Sequence, residues 1–213
     1  MKVKAKAEQG IVIANADKDP YDATAVAKDT ALHELQPTST LNFTNWYHNS
    51  STDPADANAG KTCEAVAAAD YDTYFVKHTF WIRSSANADL TVSSFGVNGV
   101  KTVATAADDL SASLRVGVQF AGDTNAYIFA PVAGFTTGYK VNGAGSVSPV
   151  AAETAQASTL TTIPSNQVDG IQTDVYIWFE GEDESCISNN LTANLEELEI
   201  NIEFGFTPVT PAP

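Results

Sequence analysis

Three histidines and two cysteines are the side chains of this chain best suited to catalysis or metal binding. His33 is followed by Glu34, but no second histidine lies four residues later, as the zinc-binding helix of a metalloprotease requires. His48 and His78 have no spacing that indicates shared ligation of a metal ion. The sequence also contains neither a Gly-x-Ser-x-Gly elbow nor a glycine-rich phosphate loop. We therefore predict no catalytic residues and a protein that is not an enzyme.

Clustered carboxylates offer a different chemistry, the binding of Ca²⁺. Glu180, Glu182 and Asp183 lie in one acidic turn, and Asp17–Asp22 forms a second. Calcium requires six to eight oxygen ligands, and neither turn has the spacing of an EF-hand loop. Two interpretations remain open: a solvated acidic loop without a cofactor, or a Ca²⁺ site that uses Glu180, Glu182 and Asp183.

The two cysteines and the exposed aromatic candidates suggest structural or binding roles. Cys63 and Cys186 are too few to form a metal site alone, and in an exported protein we predict that they form a disulfide. Two free thiols are the alternative. Trp46 and Trp81 could stack on sugar rings, although alternation with apolar neighbours favours core packing for most aromatic residues of the chain.

The composition and the net charge of the chain indicate which kinds of partner it is unsuited to bind. The chain has 213 residues, a net charge of −15, and only 17% charged residues. A strongly acidic surface repels phosphate backbones and anionic lipids, so we expect neither nucleic-acid nor membrane-surface binding. The sequence has no apolar run long enough for a transmembrane helix and no signal peptide after Met1. Low charge with abundant Ala, Thr, Ser and Asn favours an extracellular or assembled protein.

The elements that must position these residues are β-strands, because alternation with a period of two dominates the sequence. The clearest segments are 71–83, 114–120, 175–179 and 195–206, and Asn98-Gly99 indicates a hairpin turn. About nine or ten short strands without a confident long helix predict an all-β, jelly-roll-like antiparallel β-sandwich. We assign residues 15–206 to this single domain and residues 207–213 to a proline-rich tail.

The N-terminal segment 1–14 is separate in character. It alternates basic and small apolar residues, then becomes apolar, and its basic part contrasts with the acidic chain. We predict that this arm is a strand that docks on a neighbouring subunit; the alternative is a solvated terminus. The predicted assembly residues are Lys2, Val3, Lys4, Ala5, Lys6, Ile11, Val12 and Ile13.

The segment 175–186, with sequence VYIWFEGEDESC, resembles a closing motif of exported proteins from Gram-positive bacteria. Further similar segments are GIVIANA at 10–16, LQPTST at 35–40, WYH at 46–48, YFVKHTFW at 74–81 and LRVGV at 114–118. Together they resemble surface proteins distantly related to the TasA/camelysin biofilm-fibre group. The metalloprotease activity attributed to camelysin is not carried over, since the chain has no zinc-ligand motif.

The resemblance implies a secreted jelly-roll sandwich whose N-terminal segment fills a groove in the next subunit. We therefore expect an extracellular or cell-surface structural subunit that forms homopolymeric filaments, with other matrix or cell-surface components as further partners. Two alternatives are a carbohydrate- or surface-binding β-sandwich module and a virion decoration or fibre protein.

Overall fold

A computed structural model describes residues 1–28, 35–40, 42–49, 63–102, 113–131, 150–151, 154–181 and 198–209. Within these ranges the chain forms fifteen β-strands and one 3-10 helix, the latter at Ala68–Thr73. The strands are β1 (Lys2–Ala7), β2 (Ile11–Asn15), β3 (Thr24–Lys28), β4 (Ser39–Thr40), β5 (Trp46–Asn49), β6 (Cys63–Ala65), β7 (Phe75–Ser84), β8 (Leu90–Thr102), β9 (Leu114–Phe120), β10 (Tyr127–Ala130), β11 (Val150–Ala151), β12 (Gln156–Ala157), β13 (Thr162–Ile163), β14 (Ile171–Phe179) and β15 (Glu199–Pro208).

Two six-stranded sheets form the main part of the described structure, and the prediction of an all-β sandwich is confirmed. The first sheet has the order β12-β8-β15-β1-β3, with β13 also paired to β8. The second sheet has the order β11-β10-β9-β14-β7-β2, and β4, β5 and β6 form a small third sheet. Most pairings are antiparallel, but β1 runs parallel to β15 and β10 runs parallel to β11.

The main hydrophobic core lies between the two large sheets because alternate side chains of each strand point inward. Phe120 of β9 illustrates the contact, since its ring centroid is 4.9 Å from that of Phe95 in β8 and 5.9 Å from that of Phe204 in β15. The fully buried inward residues come from both sheets and include Val3, Ile13, Phe80, Ile82, Val97, Val116, Val118, Val175, Ile177, Ile200, Ile202 and Phe204.

A second, aromatic cluster covers part of the outer face of the second sheet. The ring of Trp46 stacks on Phe75 at 4.0 Å, and that of Phe43 stacks on Tyr176 at 4.7 Å. Gly117 of β9 makes room for this cover, since a Cβ at this position would collide with the Phe43 ring. The small third sheet is therefore fastened to the sandwich mainly by aromatic packing.

The predicted hairpin at Asn98-Gly99 is wrong. These residues lie inside the continuous strand β8, where the register against β15 shifts between Glu203 and Phe204. Glu203 is opposite Gly99 and Phe204 is opposite Val97, so Asn98 is the extra residue of a β-bulge. Pairing with β15 along its length thus outweighs the local turn preference of the Asn-Gly pair.

Candidate assembly site

The N-terminal strand β1 is an interior strand of the first sheet. It pairs in parallel with β15 on one side and antiparallel with β3 on the other. Val3, Ala5 and Ala7 point into the core and are buried. Because successive side chains of a strand point to opposite faces, the lysines of β1 lie on the outer face of the sheet. The KVKAKA alternation therefore specifies a strand with one small apolar face and one basic face.

Acidic residues of β15 face the lysines of β1. The register places Lys2 opposite Glu199, Lys4 opposite Asn201 and Lys6 opposite Glu203. Two of these three pairs are ion pairs, with N–O distances of 2.7 Å for Lys2–Glu199 and 2.9 Å for Lys6–Glu203. We call these two ion pairs the charge ladder.

The two ion pairs of the charge ladder are partly exposed to solvent, which limits their strength. The hydrogen bond from Lys2 lowers the pKa of the Glu199 carboxyl below its ordinary value of 4.5, and the charges of Lys2 and Lys4 act in the same direction. The side chains of Lys6 and Glu203 are 60% and 49% exposed, so solvent screens their attraction. The ladder can therefore bias the alignment of β1, but it contributes little to the total stability of the fold.

A three-residue connection, Glu8–Gly10, carries the chain from the first sheet to the second. The Asn98 amide donates a hydrogen bond of 2.7 Å to Oε1 of Glu8, and the Phe206 backbone N–H donates one of 3.3 Å to Oε2. Gly10 has a φ of 100°, a conformation that favours glycine. The Glu8 side chain thus links the C-terminal end of β1 to both β8 and β15, and we call these two hydrogen bonds the Glu8 clip.

The predicted 14-residue arm is consequently divided between the two sheets. Ile11 and Ile13 of β2 are buried against the core, and β2 pairs with β7 in the second sheet. Val12 points outward and is partly exposed. The arm is not a solvated terminus, since both of its strands are integrated into the sandwich of the same chain.

Glu180, one of the predicted Ca²⁺ ligands, links β4 of the small third sheet to β14 of the second sheet. The Ser39 hydroxyl donates to its Oε1, and the Trp178 indole N–H donates to its Oε2 over 3.2 Å. The Glu180 side chain is 1% exposed, so it is closed off from solvent. Glu182 and Asp183 lie outside the described residues. Within the described ranges, no group of three or more His, Cys, Asp or Glu side chains is arranged to hold a metal ion.

The two tryptophans predicted to stack on glycans occupy different environments. Trp46 is 1% exposed and packs inside the aromatic cluster, so its ring is inaccessible to a sugar and that prediction is wrong. Trp81 lies on the outer face of the second sheet and is partly exposed. The Lys18 ammonium lies 3.8 Å from the centroid of the Trp81 ring and covers one face of the ring in a cation–π contact.

The remaining candidates for chemistry are dispersed. Cys63 begins β6, while Cys186 lies outside the described residues, so the disulfide stays a prediction. His48 lies in β5, 5.2 Å from the Tyr74 ring, and His78 lies in β7. His33 also falls outside the described ranges.

The residues of the candidate site that the sequence did not single out are Glu8, Asn98, Glu199 and Glu203. A signal for two of them was present, because the pattern Glu199-x-Asn201-x-Glu203 has the same period as Lys2-x-Lys4-x-Lys6 and the opposite charge. Complementary periods on two strands are what cross-strand pairing requires. The roles of Glu8 and Asn98 depend on the bulge in β8, which has no comparable local signal.

No protein-family model, curated protein or solved structure matches this chain. Among the described residues, no helix has the length and apolar character needed to cross a membrane.

Proposed function

We propose that the protein is a non-enzymatic extracellular structural subunit that assembles into cell-surface or biofilm-matrix filaments. Each subunit donates β1 to the next subunit, where the strand fills the slot between β15 and β3. The observation that carries this proposal is the position of β1, an interior strand with only small apolar residues on its inner face.

Exchange of β1 between copies preserves its contacts. A donated strand would meet the same β15 and β3 residues in a second copy as it meets in its own chain, which is the condition for domain swapping. Only the connection Glu8–Gly10 must change conformation. Its length and the glycine at position 10 make this segment a suitable hinge.

An unfilled slot would favour capture of another strand. Withdrawal of β1 leaves unpaired the backbone groups of β15 and β3 that face it, and such edges pair readily with other chains. It also uncovers inward side chains of β15, including Ile200, Ile202 and Phe204, which are buried beside β1. A strand that adds to the slot pairs these backbone groups and also covers these side chains.

Donation in one direction produces a filament, whereas reciprocal exchange between two copies would produce a closed dimer. The donated strand and the receiving slot are different surfaces, so the contact is head-to-tail and each added subunit leaves one new slot unfilled. The polymer would thus grow through one repeated interface in which the chain is its own partner.

The experiment that tests this proposal is competition with a synthetic peptide of residues 1–10 during assembly of the full-length protein. Negative-stain electron microscopy and size exclusion should show filaments without the peptide and short oligomers or monomers with it, because the peptide occupies slots and ends growth. The matched control is a peptide with Val3→Asp and Ala5→Asp, which should not act because it would bury charge.

Peptide competition is preferable to deletion of residues 1–14. That deletion also removes the buried Ile11 and Ile13 of β2, and the loss of assembly could then reflect unfolding. Monomers of the full-length protein under all assembly conditions, or filaments indifferent to the peptide, would refute the proposal.

A further inference from the structure

We propose that the charge ladder and the Glu8 clip make the slot between β15 and β3 specific for one strand in one register. The strand it selects is a parallel strand that alternates lysine with small apolar residues, supplied by a second copy of this chain. This inference rests on the proposed function, because it concerns the same slot.

Apolar packing alone defines the register of β1 weakly. A slip of one residue would turn Val3, Ala5 and Ala7 outward, and burial excludes it. A slip of two residues keeps the same face inward, because side chains alternate with a period of two. A slip toward the end of β15 brings Met1 and Val3 to the positions of Val3 and Ala5, and the reverse slip brings Gln9 to the position of Ala7. Packing therefore opposes each slip through only one or two side chains.

The charge ladder distinguishes the registers that packing leaves nearly equivalent. The observed register forms both ion pairs, Lys2–Glu199 and Lys6–Glu203. A two-residue slip toward the end of β15 places Lys2 opposite Asn201, Lys4 opposite Glu203 and Lys6 opposite Gly205, which leaves one pair. The reverse slip places Lys4 opposite Glu199, and it is opposed instead by Gln9, whose polar side chain would enter the buried position of Ala7.

The Glu8 clip opposes slippage of β1 at its C-terminal end. Glu8 accepts hydrogen bonds from Asn98 and from the Phe206 backbone, and Gly205 provides the space for this contact. A Cβ at position 205 would collide with the Asn98 amide and lie 2.7 Å from the Glu8 carboxyl carbon. A two-residue slip replaces Glu8 at this point with either Lys6 or Gly10, and neither residue can accept these hydrogen bonds from its side chain.

The same features discriminate against foreign strands. An acidic strand would face Glu199 and Glu203 with like charge, and a strand with large inward side chains would overfill the buried positions of Ala5 and Ala7. On an acidic chain with a net charge of −15, three alternating lysines are an uncommon pattern that the slot can recognise. The expected partner is therefore another copy of the same strand.

A charge-swap experiment tests this inference in the full-length protein. One variant carries Lys2→Glu with Lys6→Glu, and a second carries Glu199→Lys with Glu203→Lys. Each variant alone presents like charges across its own slot, so its rate of filament growth should fall about tenfold or more. In an equimolar mixture each strand finds a slot of opposite charge, and growth should return to within about twofold of the unmodified protein.

The mixture also controls for net charge, because the two variants change it by equal and opposite amounts. Lys4→Glu is a matched single-residue control on the same face, since Lys4 is opposite Asn201 and not a carboxylate. It should slow growth much less than either double variant. If a variant folds poorly alone, peptides of residues 1–10 with and without Lys2→Glu and Lys6→Glu provide a second measurement on unmodified filaments, where only the unmodified peptide should cap growth efficiently.

The outcomes separate this inference from the proposed function. Growth of both charge variants at the unmodified rate would overturn the inference while strand donation remains in place. Impaired variants that the mixture does not rescue would also overturn it, because the ladder would then act only within one chain. Absence of filaments from the unmodified protein would overturn the proposed function itself.

Discussion

The first two strands of the chain are adjacent in sequence but are held in the fold by different means. β1 is paired on both sides and buries only small side chains, whereas β2 lies at the edge of the described second sheet and buries Ile11 and Ile13. Backbone pairing thus dominates for β1 and side-chain packing dominates for β2. This difference indicates which strand can be exchanged without loss of the core.

A strand held by backbone hydrogen bonds can be replaced by an identical strand from another copy, because the bonds formed equal the bonds broken. A strand held by large buried side chains must expose them to solvent while it moves, and this raises the barrier to exchange. We therefore consider β1 the donated strand and β2 the anchor that keeps the hinge attached to its own subunit.

The largest effect is expected from truncation of the anchor. Ile13→Ala should destabilise the subunit by about 2–5 kcal/mol, because it removes most of a fully buried side chain and leaves a cavity. Urea unfolding followed by circular dichroism measures this change. Val12→Ala on the outer face of the same strand is the control and should have a much smaller effect. Equal effects at the two positions would contradict the role of β2 as an anchor.

A smaller effect on subunit stability is expected from the same type of change in β1. Val3→Ala removes two methyl groups from a fully buried position, for which we expect a loss of about 1.5–2 kcal/mol in unfolding free energy. Strand donation would place Val3 in every subunit interface, so this change should shorten filaments more than its effect on subunit stability alone would. Filament length distributions at matched concentration provide the measurement. Filaments of normal length from a destabilised Val3→Ala subunit would contradict the assignment of β1 as the donated strand.

Acid should loosen β1 before it affects the turn between β9 and β10. The folded-state pKa of Glu199 lies below its ordinary value of 4.5, so the ion pair contributes fully above pH 4.5 and is lost as the pH falls through the lowered pKa. At the β9–β10 turn, burial opposes the charge of Asp123, but hydrogen bonds led by that from Tyr127 outweigh it and lower the pKa to about 2.

The corresponding measurement is the rate of subunit exchange between fluorescently labelled filaments from pH 7 down to pH 3. We expect faster exchange below about pH 4.5, while the hydrogen-bonded Tyr127 ring keeps its native fluorescence. Glu199→Gln should show fast exchange at neutral pH and a weaker dependence on acid. Exchange that is independent of pH in the unmodified protein would argue against a contribution from the ladder.

The smallest effect is expected from salt. The charge ladder is partly exposed, so 0.5 M NaCl should screen and weaken each ion pair. Peptide-capping titrations at low and high salt measure the change as a severalfold loss of peptide affinity. The Lys2→Glu and Lys6→Glu peptide should show the opposite trend, because salt screens its repulsion.

Much of the sandwich could be predicted from local alternation, because one face of each long strand is buried. The strands β7 and β15 follow this rule over much of their length, whereas β9 and the second half of β14 are buried on both faces. The basic alternation of the N-terminal segment likewise indicated a strand. What local patterns could not give were the partners: which strands flank β1, and that residues 8–10 redirect the chain to the other sheet.

The errors have the same physical origin. The Asn98-Gly99 pair has a strong turn preference, but the long pairing between β8 and β15 converts it into a bulge. Trp46 lies between Asn45 and Tyr47 in sequence, yet it is buried where its segment packs on the second sheet. In both cases contacts between residues distant in sequence outweigh the local signal.

The most direct test of strand donation is a cross-link between β1 and β15. In a variant with Lys6→Cys and Glu203→Cys, the two introduced side chains lie side by side on the outer face of the first sheet. The variant is assembled under reducing conditions, oxidised within the filaments and analysed on a non-reducing denaturing gel. The Lys6→Cys variant and the unmodified chain, which contains Cys63 and Cys186, are the controls. Strand donation predicts a series of covalently linked oligomers of increasing size from the double variant only. Cross-linked monomers recovered from intact filaments would contradict it.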